Sequence, residues 1–237
     1  TADGRSFSNY EQARTYVEAR DTPLVIKASG LCAGKGVVVC EDREEALAAL
    51  ARIMGKREFG DAGSTVVIEE RLSGQELSVI ALVDGKTITV LDPCQDHKQV
   101  GEGDVGPNTG GMGSYCPTPL SIDSVMEEVS RDVLVSTVDA LRREGIEFRG
   151  VLYAGIMLTA GGPRVLEFNT RFGDPETQPL MARLQGDLVE ILWRTAGGEL
   201  DGNELSFDPR SACCVVICSE GYPGTVRTGQ VVEGLET

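Results

Sequence analysis

Apolar residues recur with two different spacings along the chain, and these spacings predict a mixture of strands and helices. Short apolar runs rich in β-branched residues predict strands at 24–28, 37–40, 65–70, 76–83, 87–92, 151–159 and 164–169. The turns Asp84-Gly85 and Ala160-Gly161-Gly162 are typical of hairpins between consecutive strands. Strands joined by hairpins and mixed with helices indicate an α+β fold with antiparallel sheets rather than a doubly wound parallel sheet.

Capping signals mark the starts of the predicted helices. The helices are predicted at 8–19, opened by the capping box Ser8-Asn9-Tyr10-Glu11, at 42–54, at 124–143, after Asp174 and after Asp187. Asp174-Pro175 has the pattern of an N-cap followed by proline at the first helical position. Pro179 is expected to kink or restart that helix.

The segment 93–120 carries neither pattern and is rich in glycine and proline. We predict a long structureless loop there, and a loop of that length inside a compact domain is usually functional or disordered. From about residue 205 the pattern indicates a strand, a turn at Gly221-Tyr222-Pro223-Gly224 and an incomplete continuation.

Composition narrows the function classes. The net charge is −15, from 22 basic and 37 acidic side chains, and no basic stripe stands out, so nucleic acid is not an expected partner. Seven cysteines without a C-x-x-C pair read as reduced thiols, which predicts a cytoplasmic protein. No apolar stretch approaches membrane-spanning length, so no membrane contact is expected. The chain starts without methionine, which is compatible with a piece of a longer polypeptide.

Four segments carry candidate chemistry, and the first is the glycine-rich turn from Lys27 to Gly36. Such a turn between two strands can bring backbone N–H groups close to phosphates, and two lysines belong to it. It is not a Walker A loop, because Ser29 stands where glycine is required and Gly36 replaces the magnesium-binding hydroxyl residue. An ordinary hairpin turn with solvated lysines explains the local sequence equally well.

The second segment is the strand that carries Glu167, Asn169 and Arg171. Alternation along a strand places Glu167 and Asn169 on one face, together with Arg171 if the strand continues that far. Leu166 and Phe168 lie on the other face, where they can anchor in the core. Carboxylate and amide oxygens suit Mg²⁺, and an arginine suits a transferring phosphoryl group. A half-exposed strand end with solvated polar side chains is the alternative.

The remaining two segments are weaker when taken singly. Gln95-Asp96-His97-Lys98 opens the predicted loop, and Gly106–Gly113 follows within it. His97 is the one histidine of the chain, and a lone histidine is more often structural than catalytic. The strand and connector at 66–76 offer backbone groups for an adenine edge and the Glu76 carboxylate for ribose hydroxyls, but they also read as an ordinary strand–turn–strand.

Together and in this order, the four segments resemble the ATP-grasp family. The motifs V-I-K-A-S-G-x-x-A-G-K-G, Q-D-H-K, G-P-N-T-G-G-M-G and L-E-F-N-x-R-F-G-D-P-E-T-Q look specifically like the glycinamide ribonucleotide synthetases, or phosphoribosylamine–glycine ligases. The resemblance covers roughly 10–235. It implies a small α+β lobe at 1–72 with the phosphate loop, a large lobe at 73–200 with the metal site, and the start of a C-terminal domain at 201–237.

The resemblance also implies roles for individual residues. The nucleotide is expected to contact Lys27, Gly34, Lys35, Gly36, Glu69, Glu70, Leu72 and Glu76. Mg²⁺ or Mn²⁺ is expected on Glu167 and Asn169. The catalytic residues facing the γ-phosphate and the acyl phosphate are expected to be Lys98 and Arg171. The pocket for glycine and 5-phosphoribosylamine is expected to include Asp96, His97, Asn108, Gly110, Gly111 and Asp174.

The reaction that the resemblance implies has two steps. ATP phosphorylates the carboxylate of glycine, and the amine of 5-phosphoribosylamine then displaces phosphate from glycyl phosphate to give glycinamide ribonucleotide in purine biosynthesis. The alternatives are another ATP-grasp carboxylate–amine ligase, or a nucleotide-binding fragment without turnover. Two departures from the family stand out. Tyr153-Ala154-Gly155 lacks the additional metal carboxylate that many ATP-grasp enzymes carry there. Family members also have an N-terminal domain and a complete C-terminal domain, which implies further domains in a longer parent polypeptide.

Overall fold

The computed structural model describes residues 1–32, 36–200 and 205–234 of the 237-residue chain. The chain divides into two compact units, Thr1–Gly74 and Gln75–Thr237. Each unit combines antiparallel strands with helices, as expected for an α+β fold. Among the described residues, no helix combines the length and the apolar character needed to cross a bilayer.

The first unit is a four-stranded antiparallel sheet with two helices. Its strands are β1 (Gly4–Phe7), β2 (Leu24–Ala28), β3 (Val37–Cys40) and β4 (Val66–Glu70), in the order β1-β4-β2-β3. The helices are α1 (Tyr10–Glu18) and α2 (Arg43–Leu50), and the latter continues helically through Ala51–Gly55. Ile26 and Ile68 from the central strands and Leu50 from α2 are fully buried in one hydrophobic core.

The caps of these two helices correct one prediction and match another. The N-cap of α1 is Asn9, whose side chain accepts a hydrogen bond from the Gln12 N–H, so the predicted box opening at Ser8 is wrong by one residue. Asn9 has the extended backbone that an N-cap requires. Asp42 caps α2 as predicted, because its carboxylate accepts from the Glu45 N–H.

The second unit is built on a larger antiparallel sheet. Its strands are β5 (Gln75–Asp84), β6 (Ile88–Val90), β11 (Arg149–Thr159) and β12 (Gly162–Asn169), in the order β12-β11-β5-β6. Alternate residues of β5 enter two different cores: Leu77 and Val79 lie in one, and Ile80 and Leu82 lie in the other. The near-continuous apolar sequence of β5 therefore reflects a strand buried on both faces.

Helices contribute buried side chains to both hydrophobic cores of this unit. The helical segments are α3 (Asp123–Glu128), a π-helical stretch (Val129–Val135), α4 (Ser136–Arg143), α5 (Thr177–Arg183) and α6 (Leu188–Gly197). The first three run consecutively, matching the single predicted helix, and contribute Val129, Leu134 and Val138 to one core. The other core contains Leu180 of α5.

The predicted structureless loop at 93–120 is wrong. It contains β7 (Gln95–Asp96), β8 (Gln99–Gly101), β9 (Val105–Asn108) and β10 (Gly113–Cys116). β8 and β9 pair with each other, and β10 pairs with both β7 and β15 (Ala212–Val215). A last pair joins β13 (Leu184–Gln185) to β14 (Ser206–Phe207). Partners far away in sequence supply this order, which local composition does not reveal.

The start of α5 differs from its prediction. The helix begins at Thr177 with Glu176 at the N-cap position, and Asp174 precedes a cis peptide bond to Pro175. The Asp174 side chain accepts a hydrogen bond from Gln178 Nε2 instead of capping the helix. Pro179 is the third helical residue, where no intrahelical N–H bond is lost, so it neither kinks nor restarts the helix.

Candidate functional site

In the first unit, the predicted nucleotide residues Lys27 and Glu69 form an ion pair. Lys27 lies on β2 and Glu69 on β4, and the register pairs Val25 with Glu69, so the two side chains are diagonal neighbours on one face. Lys27 Nζ lies 2.6 Å from Glu69 Oε2. Both side chains are partly exposed, so the ion pair is accessible from solvent.

The other predicted nucleotide residues of this unit have separate surroundings. Glu70 accepts a hydrogen bond from the Asp3 N–H at 3.0 Å, and Leu72 follows β4 as a half-buried residue. Gly36 accepts a backbone bond from Ala28, and a Cβ there would lie 2.7 Å from the Cys32 sulfur. Close packing therefore requires glycine at position 36. The predicted residues Gly34 and Lys35 lie outside the described residues.

In the second unit, the sheet collects the predicted metal residues on one face. The register places Glu167 opposite Gly155 and Asn169 opposite Tyr153. Asn169 Nδ2 lies 3.3 Å from Glu167 Oε1, so the two polar groups are adjacent. The register shifts between Gly155 and Ile156, which leaves Leu166 as an extra residue of a β-bulge next to the site.

Two further predictions for β12 and its continuation are corrected or refined. Phe168 does not anchor in the core, because this residue of the edge strand β12 is 42% exposed. β12 ends at Asn169, so Arg171 lies beyond the strand and does not share its face by alternation. Its side chain is exposed, and its guanidinium donates to the Phe172 carbonyl oxygen at 2.9 Å.

Glu167 and Asn169 provide two hard oxygen donors on one face, which fits Mg²⁺ as a ligand set. Within the described ranges, no group of three or more histidine, cysteine or acidic side chains is placed to hold a metal. Two protein donors still suit this ion, because Mg²⁺ in nucleotide sites takes much of its coordination from phosphate oxygens and water. Gly155, opposite Glu167, brings no additional carboxylate.

Lys98 is the cation of this site. Its Nζ lies 2.9 Å from Glu76 Oε2 on β5, which joins a predicted catalytic residue to a predicted ribose residue. Burial alone would lower the pKa of Lys98, but the negative charges of Asp96, Glu76 and Glu167 raise it above its ordinary value. We call Glu76, Asp96, Lys98, Glu167 and Asn169 the carboxylate–lysine cluster. Its lysine is fully charged at neutral pH.

Asp96 lies at the edge of a buried polar network. Its Oδ1 lies 3.3 Å from Ser78 Oγ, and Ser78 also contacts Tyr153 and Glu176. Burial raises the pKa of Asp96 to about 6; the Lys98 charge lowers it, while the charges of Glu176 and Glu76 raise it further. The pKa of Asp96 therefore lies well above that of an ordinary aspartate, which is about 4.

The predicted substrate residues fall into two groups. The His97 ring stacks on Tyr115 with 5.9 Å between centroids, and the His97 N–H donates to the Gly113 carbonyl oxygen. Gly111 has φ +126°, and a Cβ there would clash with Cδ of Pro175, so Gly111 packs against the Asp174–Pro175 turn. Asn108 and Gly110 are exposed, and the Gly110 N–H donates to the Tyr222 hydroxyl.

Four functional candidates were missed from sequence. Thr109 ties the glycine-rich loop to the cluster, because its N–H and its hydroxyl both donate to the Lys98 carbonyl oxygen, at 2.7 and 2.8 Å. Ser78, Tyr153 and Glu176 form the buried network. Ser78 is the single polar residue within the apolar run of β5, a signal that could have identified it.

Comparison with known proteins agrees with this architecture. The family model for the phosphoribosylglycinamide synthetase ATP-grasp (A) domain matches residues 1–177, and the chain belongs to this family. A phosphoribosylamine–glycine ligase of Rhodopirellula baltica is 51% identical over 244 residues, which cover 100% of this chain and 56% of the relative. The chain thus spans little more than half the length of that relative.

Solved structures show the same fold. A phosphoribosylamine–glycine ligase from Thermotoga maritima matches 96% of this chain and 57% of its own chain, with 34% identity and a TM-score of 0.84. The biotin carboxylase domain of a Hydrogenobacter thermophilus 2-oxoglutarate carboxylase, solved with MgADP and bicarbonate, matches 90% of this chain and 46% of its own, with 17% identity and a TM-score of 0.65. At 17% identity, the similarity to the biotin carboxylase domain shows a shared fold and nothing more.

Proposed function

We propose that the chain is the ATP-grasp portion of a ligase that joins glycine to 5-phosphoribosylamine. The observation that carries this proposal is the 51% identity, across the whole chain, to a phosphoribosylamine–glycine ligase. Because the chain covers 56% of that relative, we infer that it acts within a longer polypeptide whose further domains complete the enzyme.

The proposed reaction has two balanced steps. A carboxylate oxygen of glycine attacks the γ-phosphorus of ATP, which forms glycyl phosphate as the bond to ADP breaks. The amine of 5-phosphoribosylamine then attacks the acyl carbon, phosphate leaves with the electrons of the broken C–O bond, and the nitrogen releases one proton as the neutral amide forms. Phosphorylation supplies the leaving group, so alignment and charge neutralisation provide most of the catalysis.

In this proposal, Glu167 and Asn169 hold Mg²⁺ or Mn²⁺, which supplies positive charge to the phosphates when bound. Lys98 binds the γ-phosphate, and Arg171 stabilises the acyl phosphate. Glu76 binds the ribose. Because the α- and β-phosphates lie between the ribose and the γ-phosphate of ATP, these two roles require the 2.9 Å ion pair between Lys98 and Glu76 to open when the nucleotide binds.

The remaining predicted residues complete the proposal. The nucleotide also contacts Lys27, Gly34, Lys35, Gly36, Glu69, Glu70 and Leu72. Glycine and 5-phosphoribosylamine occupy the region of Asp96, His97, Asn108, Gly110, Gly111 and Asp174. The contact between Gly111 and the Asp174–Pro175 turn supports this placement, because it joins two of the predicted substrate segments.

The test measures ADP release by the chain within its full-length parent. We expect release to depend on both glycine and 5-phosphoribosylamine, and Glu167→Ala to reduce it on the order of 10²- to 10³-fold, as loss of a group that neutralises transition-state charge does. Glu190→Ala removes an exposed carboxylate of α6 and serves as the matched control.

Two outcomes would replace the proposal. Preference for another acid or amine would assign the chain to a different ATP-grasp ligase. Calorimetric binding of MgATP without ADP release from any substrate combination would make it a nucleotide-binding module. Unchanged activity in Glu167→Ala would reject the metal assignment.

A further inference from the structure

A buried hydrogen-bond network lies beneath the carboxylate–lysine cluster. It contains Ser78 of β5, Tyr153 of β11, Asp96 of β7 and Glu176 at the start of α5. These residues are 2%, 4%, 8% and 2% exposed, so all four are largely withdrawn from solvent. Four strands or helices thus converge on one set of polar groups.

The network contains more oxygen–oxygen contacts at hydrogen-bonding distance than there are hydroxyl protons to donate in them. Ser78 Oγ lies 3.3 Å from Asp96 Oδ1, 3.1 Å from Glu176 Oε1 and 2.9 Å from the Tyr153 hydroxyl oxygen. The Tyr153 hydroxyl also donates to Glu176 Oε1 at 2.8 Å. Serine and tyrosine bring one proton each, and an ionised carboxylate brings none.

The Ser78 proton can therefore serve either Asp96 or Glu176, but not both. If both acids are ionised, only two of the four contacts are hydrogen bonds, and two negative charges face each other away from water. If Asp96 carries a proton and donates it to Ser78 Oγ, the Ser78 hydroxyl is free to donate to Glu176. Three contacts are then satisfied and one charge remains.

We propose that Glu176 is a positioning residue that makes Asp96 a proton acceptor for the amine, by competing for the Ser78 hydroxyl and by opposing the Asp96 negative charge. The proposal rests on the proposed ligase function. In the second step the amine nitrogen bonds to the acyl carbon, phosphate leaves, and the N–H proton moves to the Asp96 carboxylate. Neutral Asp96 is the state that the network satisfies best, so acceptance of that proton is favoured.

The surroundings of Asp96 agree with this role. The charged and titratable groups that face it are Lys98 from its own segment, Glu76 from β5, Tyr153 from β11 and Glu176 from the turn before α5. Of these, Lys98 favours the ionised carboxylate, whereas Glu76 and Glu176 oppose it. Ser114, opposite Asp96 on β10, contributes a hydroxyl that has no hydrogen-bond partner among the described residues.

Two substitutions have opposite expected effects. Glu176→Gln removes the competing negative charge, so the pKa of Asp96 falls and the acid limb of the amine-dependent rate moves to lower pH by about 1 unit. Tyr153→Phe removes the other donor to Glu176, which then draws the Ser78 hydroxyl away from Asp96. The acid limb therefore moves to higher pH. A purely structural role would lower the protein's stability in both variants without moving the limb in either direction.

The experiment records the pH profile of amide formation at saturating glycine and ATP for the wild type, both variants and the control Glu190→Gln. Opposite displacements in Glu176→Gln and Tyr153→Phe, with none in the control, support the proposal. Unmoved limbs, or displacement in the same direction, overturn it. Asp96→Asn should lose the limb assigned to Asp96, and its retention would also overturn the proposal.

A second measurement separates this proposal from the proposed function. Carbon-13 NMR of aspartate-labelled protein follows the Asp96 carboxyl carbon without any substrate, and Asp96→Asn assigns its signal. We expect its midpoint to fall in Glu176→Gln and to rise in Tyr153→Phe. These displacements together with absent ADP release would reject the ligase function alone, whereas ADP release with unmoved midpoints would reject the role of Glu176 alone.

Discussion

At the scale of single residues, Asp84 shows how one carboxylate fixes local structure. It ends β5 and is 3% exposed. Its Oδ1 accepts from the N–H groups of Lys86 and Thr87 at 3.0 and 2.7 Å, and its Oδ2 accepts from the Leu200 N–H at 2.9 Å. Burial alone would raise the pKa of Asp84, but these backbone donors outweigh it and lower the pKa below its ordinary value.

We predict that Asp84→Asn destabilises the protein by about 1–3 kcal/mol at pH 7, because at least one buried backbone N–H loses its acceptor. A carboxylate with a lowered folded-state pKa stabilises the fold above its unfolded-state pKa, which is about 4. That contribution disappears as pH falls through the folded-state value. Urea denaturation across pH should therefore show a difference that is constant from pH 7 to 5 and shrinks below about pH 4.

Asp132→Asn is the control for this prediction, since Asp132 is an exposed carboxylate whose contact is with its neighbour Arg131. A much smaller loss is expected at neutral pH. The role assigned to Asp84 would be contradicted if the Asp84→Asn protein were as stable as the wild type. It would also be contradicted if the difference in unfolding free energy did not change with pH.

The same scale shows what sequence could and could not predict of the candidate site. Alternation along β12 correctly placed Glu167 and Asn169 side by side. The ion pair between Lys98 and Glu76 was not predicted, because it joins β5 to a residue 22 positions later through tertiary folding. Glu176 and Tyr153 were missed for the same reason, since neither has a sequence neighbour in the network.

At the scale of elements, the segment 93–120 shows the difference between structure that the local sequence predicts and structure that depends on tertiary pairing. Its glycines and prolines led to the prediction of a structureless loop, whereas its short strands depend on partners elsewhere, such as the pairing of β10 with β15. The long strands β5 and β11 were predictable because each carries an extended apolar run. The prediction that Asp174 caps α5 failed because the helix begins three residues later, at Thr177.

Gly111→Ala tests how this segment is held in place. Gly111 has φ +126° and would direct a Cβ into Pro175, so alanine is both strained and blocked there. We expect a loss of more than about 1 kcal/mol in unfolding free energy and faster hydrogen exchange at 93–120. Under the proposed function, KM for glycine should also rise.

Gly103→Ala is the matched control for this substitution. Gly103 also has a positive φ, +80°, but a Cβ there would meet no atom within 4 Å. Backbone strain alone therefore acts at position 103, whereas strain and a clash act together at position 111. Equal losses in the two variants would show that contact with the Asp174–Pro175 turn has no effect.

At the scale of the whole molecule, each unit has a hydrophobic core of its own. The core of Thr1–Gly74 includes Ile26 and Ile68, whereas Gln75–Thr237 has two cores, one on each face of its sheet. The α+β class was predictable from hairpin turns and mixed periodicities, and the comparisons confirm it. The division of the β5 side chains between two cores was not predictable, because a continuous apolar run does not show which residues pack against which helix.

Separate cores predict separate responses to cavities. Ile26→Ala removes a fully buried side chain from the first unit and should cost about 2–5 kcal/mol there. Hydrogen exchange followed by mass spectrometry should then accelerate in peptides from 1–74 and stay unchanged in peptides from 75–237. Leu134→Ala, in a core of the second unit, should produce the reverse pattern. Because each substitution serves as the control for the other, acceleration of both spans by either one would mean that the two units unfold as a single cooperative structure.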